Sequence, residues 1–260
     1  VGSKRAAFRI AVFSGKGGVG KTTVAVNLAC AFGRRGRAVG LLDADITGPN
    51  VLQMMGVDGP AQGLGDRLLP HERHAVKVVS LASLLPADAA VIWRGPLRSK
   101  ALEQLLNDSD WGDLDVLIID LPPGTGDEAL TVAQQMGPQL AIVVTTPQEV
   151  ALLDARRAVD FASKLEIPQV AILENMSGLV CPHCGGEVAL FGSGGGEREA
   201  ERQGLPFLGK IPIDPVSREE ADAGTPTVLA RPDSTVAQAF DRAVDRILEM
   251  LGMESGSGGS

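Results

Sequence analysis

Gly15-Lys16-Gly17-Gly18-Val19-Gly20-Lys21-Thr22 follows the apolar run Phe8 to Phe13 and opens a helical pattern over Thr22 to Arg35. A strand that passes through a glycine-rich turn into a helix N-terminus is the setting in which Gly-x-x-x-x-Gly-Lys-Thr cradles the phosphates of a nucleoside triphosphate. Gly15, Gly17, Gly18 and Gly20 can take positive φ and bring backbone N–H groups close to phosphate oxygens, where the helix dipole adds its attraction for negative charge. Val19 and Thr23 complete the loop residues expected around the nucleotide, ATP. Lys21 is expected to reach the β and γ phosphates, and the Thr22 hydroxyl to bind Mg²⁺. The alternative is a glycine-rich turn with solvated lysines, which does not account for the full eight-residue pattern in this context.

Outward from this loop, apolar runs alternate with amphipathic stretches. Strands are predicted near Arg9 to Phe13, Ala38 to Leu42, Val76 to Leu81, Val116 to Ile119, Leu140 to Thr145, Val170 to Leu173 and Pro206 to Ile211. Helices are predicted over Thr22 to Arg35, Leu97 to Leu106, Glu128 to Met136, Val150 to Leu165 and Thr235 to Leu251. Strands this uniformly apolar, separated by helices, predict a three-layer α/β fold with a mostly parallel sheet covered by helices on both faces. Ligands bind such sheets beyond the carboxyl ends of the strands. A single domain is expected over residues 1–254. The Gly/Ser string Ser255 to Ser260 has linker composition and reads as an appended tail.

Two further strand ends carry carboxylates. Asp43-Ala44-Asp45-Ile46-Thr47-Gly48-Pro49-Asn50 follows the second strand; one aspartate can hold the Mg²⁺ shell or the cradle lysine while the other orients an attacking water. A helix cap and a turn aspartate are the alternative. The strand Val116 to Ile119 delivers Asp120 into Leu121-Pro122-Pro123-Gly124-Thr125-Gly126-Asp127, an arrangement in which the carboxylate holds Mg²⁺ through its water shell. Asp127 is expected to cap the next helix. Asn175, at another strand end, offers the paired donor and acceptor that would read an adenine edge; a structural Asx turn is the other reading.

The segment Glu174-Asn175-Met176-Ser177-Gly178-Leu179-Val180-Cys181-Pro182-His183-Cys184-Gly185-Gly186 brings a second chemistry. Two thiolates at Cys-x-x-Cys spacing grip one metal centre, yet zinc sites and iron–sulfur clusters normally take four protein ligands. The chain has three cysteines, and Cys30 lies in the apolar helix after the phosphate loop, where burial is expected. His71 and His74 fall in a distant polar stretch. Two missing ligands point to a second copy that supplies the same pair across a two-fold axis. A structural zinc knuckle and a thioredoxin-like redox pair are alternatives; Gly185 and Gly186, where a redox pair would open a helix, speak against the latter.

With 260 residues, a net charge of −8 and no basic run, the chain has the size of one large domain and none of the marks of a nucleic-acid binder. No apolar stretch reaches membrane-span length and Val1 to Arg9 lack a signal segment, so a cytoplasmic protein is expected.

Lys16 is one lysine more than a phosphate loop needs. Lys16 to Thr22 resembles the deviant Walker A group of the MinD/ParA-like P-loop superfamily, whose early lysine crosses to the partner subunit's nucleotide. A solvated lysine is the plainer alternative. Together with Asp43 to Pro49, Arg94-Gly95-Pro96, Asp120 to Asp127, Glu174 to Gly186 and Gly209 to Asp214, the loop resembles the Mrp/ApbC family of iron–sulfur cluster carrier ATPases. The resemblance spans residues 8–252. It implies a homodimer that holds a [4Fe–4S] cluster on Cys181 and Cys184 of both subunits, exchanges it with assembly scaffolds and apo-proteins, and hydrolyses ATP slowly. It assigns water activation to Asp45, with Asp43 in support. Thr47 stands where the family usually has tyrosine, and Gly178-Leu179 replaces an aromatic-rich pair. Many relatives carry a small preceding domain, which is expected to be absent or removed here. The competing class within the superfamily is a partitioning or positioning ATPase; the helix Thr235 to Leu251 mixes Arg242 and Arg246 with Asp241, Asp245 and Glu249 and lacks the basic face a membrane anchor needs. A third class is an ATP-binding scaffold with structural zinc.

Overall fold

The computed structural model describes residues 7–45, 48–59, 62–64, 67–80, 109–181 and 184–253. The predicted helix at 97–106, the Arg94-Gly95-Pro96 segment, Ile46, Thr47, Pro182, His183 and the tail lie outside them.

Eight strands form one sheet. In chain order they are β1 (Phe8–Phe13), β2 (Val39–Asp43), β5 (His71–Arg73), β6 (Val76–Ser80), β7 (Val116–Asp120), β8 (Leu140–Thr145), β9 (Gln169–Glu174) and β12 (Phe207–Lys210). Their spatial order is β12-β9-β8-β1-β7-β2-β6-β5, and every neighbouring pair is parallel except β5 with β6. Small antiparallel pairs stand apart: β3 (Gln62–Leu64) with β4 (Arg67–Leu69), and β10 (Leu179–Val180) with β11 (Glu187–Val188).

The alternation of side chains along each strand divides the core in two. Ile10 and Val12 of β1, Val116 and Ile118 of β7, and Leu140, Ile142 and Val144 of β8 face one cluster. That cluster includes helix α1 (Lys21–Arg34) through Val24, Leu28 and Phe32, and the C-terminal helix α8 (Thr235–Met250) through Phe240, Val244 and Ile247. Ala11 and Phe13, Leu117 and Ile119, and Ala141 and Val143 face the other cluster. There they meet helices α3 (Asp127–Met136) and α4 (Glu149–Lys164) through Val132, Met136, Ala155 and Ala158. The central strands β1, β2, β7, β8 and β9 are buried on both faces, which is why they read as unbroken apolar runs, whereas the edge strand β5 is largely exposed. The order of elements is completed by helices α2 (Val51–Met54), α5 (Gly195–Gln203), α6 (Pro215–Asp222) and α7 (Thr227–Ala230).

Chain direction places the site. From β1 the chain crosses to β2 on one flank of the sheet, and from β7 it crosses to β8 on the other, so the loops leaving β1 and β7 diverge at a topological switch point.

Candidate functional site

The loop Ser14–Gly20 connects β1 to α1. Gly20 is the N-cap of α1 in a left-handed conformation with φ 81°; no side chain caps the helix, and its first turn carries no acidic residue. Every other described helix of eight or more residues has one or the other: Asp127 and Glu128 in α3, Glu149 in α4, Glu197 in α5, the Asp214 cap of α6 and the Ser234 cap of α8. The first N–H groups of α1 are thus left for an anion from outside the helix. Gly18, at φ 84°, also needs the left-handed region. Gly15 and Gly17 do not have positive φ, contrary to expectation. Gly15 is required for a different reason, since a Cβ there would lie 2.1 Å from the Asp154 carbonyl oxygen of α4.

At the inner end of the loop, Lys21 Nζ donates to Asp120 Oδ1 at 2.5 Å and Thr22 Oγ1 donates to Asp120 Oδ2 at 2.7 Å. Lys21 and Asp120 are both buried. Burial pushes the Asp120 carboxyl above its ordinary range, and the Lys21 charge and the two hydrogen bonds pull it back only in part. Asp43, on the adjacent strand, accepts from the Asp45 N–H at 3.1 Å and from the Ser80 hydroxyl at 3.0 Å. Burial, then the Asp120 charge, push its carboxyl up to about 7. Asp45 Oδ1 accepts from the Gly48 N–H at 3.2 Å, a turn contact of the kind weighed as the alternative, while the residue lines the cleft. The expected carboxylates therefore converge at the ends of β2 and β7 beside Lys21 and Thr22.

Lys21, Thr22 and Asp45 line a cleft of about 660 Å³, together with Gly17, Gly18, Thr23, Pro212 and Ile213, while Asp43 and Asp120 lie behind that lining. Asn175 lines it too, but its Nδ2 donates to the Val19 carbonyl at 2.9 Å, so the amide grips the phosphate loop itself. Gly20 is required for this approach, because a Cβ there would lie 2.3 Å from Asn175 Nδ2. Lys16 stands on the outer flank, 41% exposed, with Nζ 4.0 Å from Asp154 Oδ2. Asp127 does not cap α3 as expected: Gly126 is the N-cap, and Asp127 is the first helical residue, where its charge meets the helix dipole.

Two residues of the site went unread in the sequence. The Ser14 hydroxyl is buried and has no hydrogen-bond partner among the described residues, Ser14 lines the cleft, and the Ser14 carbonyl accepts from the Gly124 N–H at 2.9 Å and ties the loop after β7 to the phosphate loop. Ser80 holds Asp43 from β6. Only spatial neighbourhood marks either one.

Cys181 and Cys184 sit in the turn between β10 and β11, Cys184 exposed and Cys181 half-buried, and neither forms a disulfide. Across the turn the Gly185 N–H donates to the Cys181 carbonyl and the Cys181 N–H to the Gly186 carbonyl, both at 2.9 Å. Cys30 is buried in α1 against Met55 as expected, its thiol pushed up to about 12 by burial.

A glycine-rich loop after a central parallel strand, an uncapped helix behind it and a buried Asp on the neighbouring strand, hydrogen-bonded to the loop's Lys and Thr, define a P-loop NTPase. The sequence matches the family profile described as ParA, NUBPL iron-transfer P-loop NTPase, over residues 5–248. It is 50% identical over 268 residues to the iron–sulfur cluster carrier protein of Pyrococcus horikoshii, covering 98% of this chain and 90% of that one. The nucleotide-binding protein of Archaeoglobus fulgidus, solved in complex with ADP, is 38% identical with a TM-score of 0.75, covering 84% of this chain and 87% of that one. The cell division ATPase MinD of Pyrococcus furiosus is 26% identical with a TM-score of 0.69, over 94% of this chain and 99% of that one. The chain belongs to the iron–sulfur cluster carrier family of P-loop NTPases.

Proposed function

We propose that this chain is an ATP-dependent carrier that holds a [4Fe–4S] cluster between two copies, on Cys181 and Cys184 of each, and passes it to apo-proteins. The observation that carries the reading is the presentation of the two thiols at the tip of a surface hairpin, on a chain of the carrier family. Among the described residues no three His, Cys, Asp or Glu side chains group to hold a metal ion. One chain then offers two sulfurs where a cluster takes four, and a two-fold pair offers all four. Val180, Val188, Leu190 and Phe191 flank the cysteines in sequence and are exposed, apolar surface of the kind that a second chain covers.

The nucleotide half of the reading rests on the cleft. The free N–H groups of α1 and its loop receive the phosphates, and Lys21 exchanges Asp120 for the β and γ oxygens. Thr22 and Asp120 present hard oxygen donors to one point and would hold Mg²⁺, whose charge offsets that of the phosphates. Asp45 orients the attacking water and Asp43 steadies the loop that carries it. Lys16 crosses to the partner's nucleotide and stabilises transition-state charge as an arginine finger does. ADP in the Archaeoglobus relative supports nucleotide in this cleft.

The test is anaerobic reconstitution with iron and sulfide. Wild type and Cys30→Ser are expected to hold about four irons per dimer, the content of one [4Fe–4S] centre, and Cys181→Ser and Cys184→Ser to hold almost none. Full iron content in either of the last two variants overturns the reading.

A further inference from the structure

Strand β9 ends in Glu174 and is followed at once by Asn175, adjacent buried polar side chains that reach different parts of the molecule. Asn175 reaches the Val19 carbonyl in the phosphate loop. Glu174, fully buried, accepts three hydrogen bonds: Oε1 from the Ser177 hydroxyl at 2.5 Å and the Gly194 N–H at 2.8 Å, and Oε2 from the Gly196 N–H at 2.5 Å. Ser177 and Gly194 stand on opposite sides of the excursion that contains β10, both cysteines and β11. The Ser177 and Ser193 hydroxyls lie 3.0 Å apart, so the two stems of the excursion meet on one carboxylate. The Gly194 and Gly196 N–H groups come from the start of α5, whose dipole favours a negative charge at that point.

The chain between these anchors is built to turn. Met176 holds φ 55° without being glycine, and Gly178, Gly192 and Gly194 take φ 74°, 85° and 79°. A non-glycine residue in the left-handed region is strained and persists only where its surroundings fix it. Here the fixing contacts are the Asn175 amide on one side and, on the other, the Ser177 N–H donating to the Ile211 carbonyl and its hydroxyl donating to Glu174. A displacement of the Val19 carbonyl therefore acts directly on a strained joint five residues before Cys181.

We infer that Glu174 is a positioning residue that, with Asn175, passes the state of the phosphate loop to the hairpin bearing Cys181 and Cys184. Asn175 is the sensing arm on Val19, and Glu174 is the clasp that makes both hairpin stems follow. This rests on the reading of the loop as a nucleotide cradle and of the two thiols as the working groups of the hairpin.

The experiment uses the full chain without metal and follows alkylation of Cys181 and Cys184 by iodoacetamide, with and without a non-hydrolysable Mg-ATP analogue. In wild type, nucleotide is expected to change the alkylation rate about fivefold or more, the lower end of ordinary coupling between sites. In Ser177→Ala and Glu174→Gln the ratio is expected to fall to about one, while the analogue still binds within about twofold of wild type, because neither side chain touches the cleft. Nucleotide-insensitive alkylation in wild type, or an undiminished ratio in both variants, overturns the inference. Should Glu174→Gln fail to fold, Ser177→Ala removes only one hydroxyl from the same clasp and decides alone. The two readings fail separately: a chain that loads iron but alkylates independently of nucleotide loses this inference only, and one that loads no iron but keeps the nucleotide effect loses the cluster reading only.

Discussion

Asp120 takes the hydrogens of both Lys21 and Thr22 in a position with no solvent exposure, so its charge depends on those two partners. Removing one member of a buried ion pair leaves the other charge uncompensated, at a cost of about 3–5 kcal/mol. Lys21→Ala is expected to destabilise the nucleotide-free chain by about that amount. The double variant with Asp120→Asn is expected to recover most of the loss, because no unpaired charge remains buried. Urea unfolding of the four chains in the cycle measures this, and losses that simply add would show that the two side chains share no interaction. The upward-shifted Asp120 carboxyl agrees in sign, since burial opposes its ionisation more than Lys21 favours it. The phosphate-loop motif marked Lys21 and Thr22, and the end of an apolar strand marked Asp120, as members of one site. That they bond to one another, Lys21 occupied by a carboxylate where a phosphate was expected, follows from the register of β1 beside β7, which sets Val12 against Asp120.

Among the elements, the hairpin of β10 and β11 and the strand β9 before it differ sharply. β9 has six residues, all paired with β8 and the last three, Ile172 to Glu174, also with β12; the hairpin strands have two residues each and meet the rest of the structure at the bridge Leu179 to Ile213. An isolated two-stranded pair is marginal in water, and amides open locally where few buried contacts hold them. Hydrogen exchange followed by mass spectrometry is expected to show peptides across 179–188 exchanging long before those across 170–173, and to slow at the hairpin when metal is loaded. Equal protection of the two segments in the metal-free chain would contradict this. The sequence offered no sign of β10 and β11, because two-residue strands have no periodicity to read. Helix α5 escaped for another reason: its segment Gly-Gly-Glu-Arg-Glu-Ala-Glu-Arg-Gln has almost no apolar face, and it is held by the glycine contacts at its start and by Glu199, which accepts from Arg156, Arg202 and Gln203.

For the whole molecule, the proposed crossing of Lys16 to a partner's nucleotide is what ties the single chain to a pair of chains. It does not line the cleft and makes a long contact with Asp154, whereas Lys21 is already committed to Asp120. Lys16→Ala is expected to leave nucleotide affinity within about twofold and to lower ATP turnover by about a hundredfold, below the 10³–10⁵ of an arginine finger supplied in trans because the point charge of lysine lacks the planar fork. Turnover measured against chain concentration checks it: wild type should rise more than linearly as pairs form, and the variant should not. Equal turnover in the two proteins would leave Lys16 a solvated side chain. Among the described residues no helix is long and apolar enough to cross a membrane.

The sequence by itself determined the layering of the sheet, since strands buried on both faces must be apolar throughout, and it determined the phosphate loop, whose glycines, lysine and threonine are dictated by local backbone chemistry. It also marked the two thiols and their shortage of partners. Tertiary structure decided what depends on strands distant in the chain: that Asn175 spends its amide on Val19, that Gly15 exists to pass Asp154, that Ser80 steadies Asp43, and that Glu174 gathers both stems of the cysteine hairpin. The physical reason is the same in each case. A hydrogen bond or a close approach between residues separated by many positions is set by sheet order and register, and these come from packing the whole core at once.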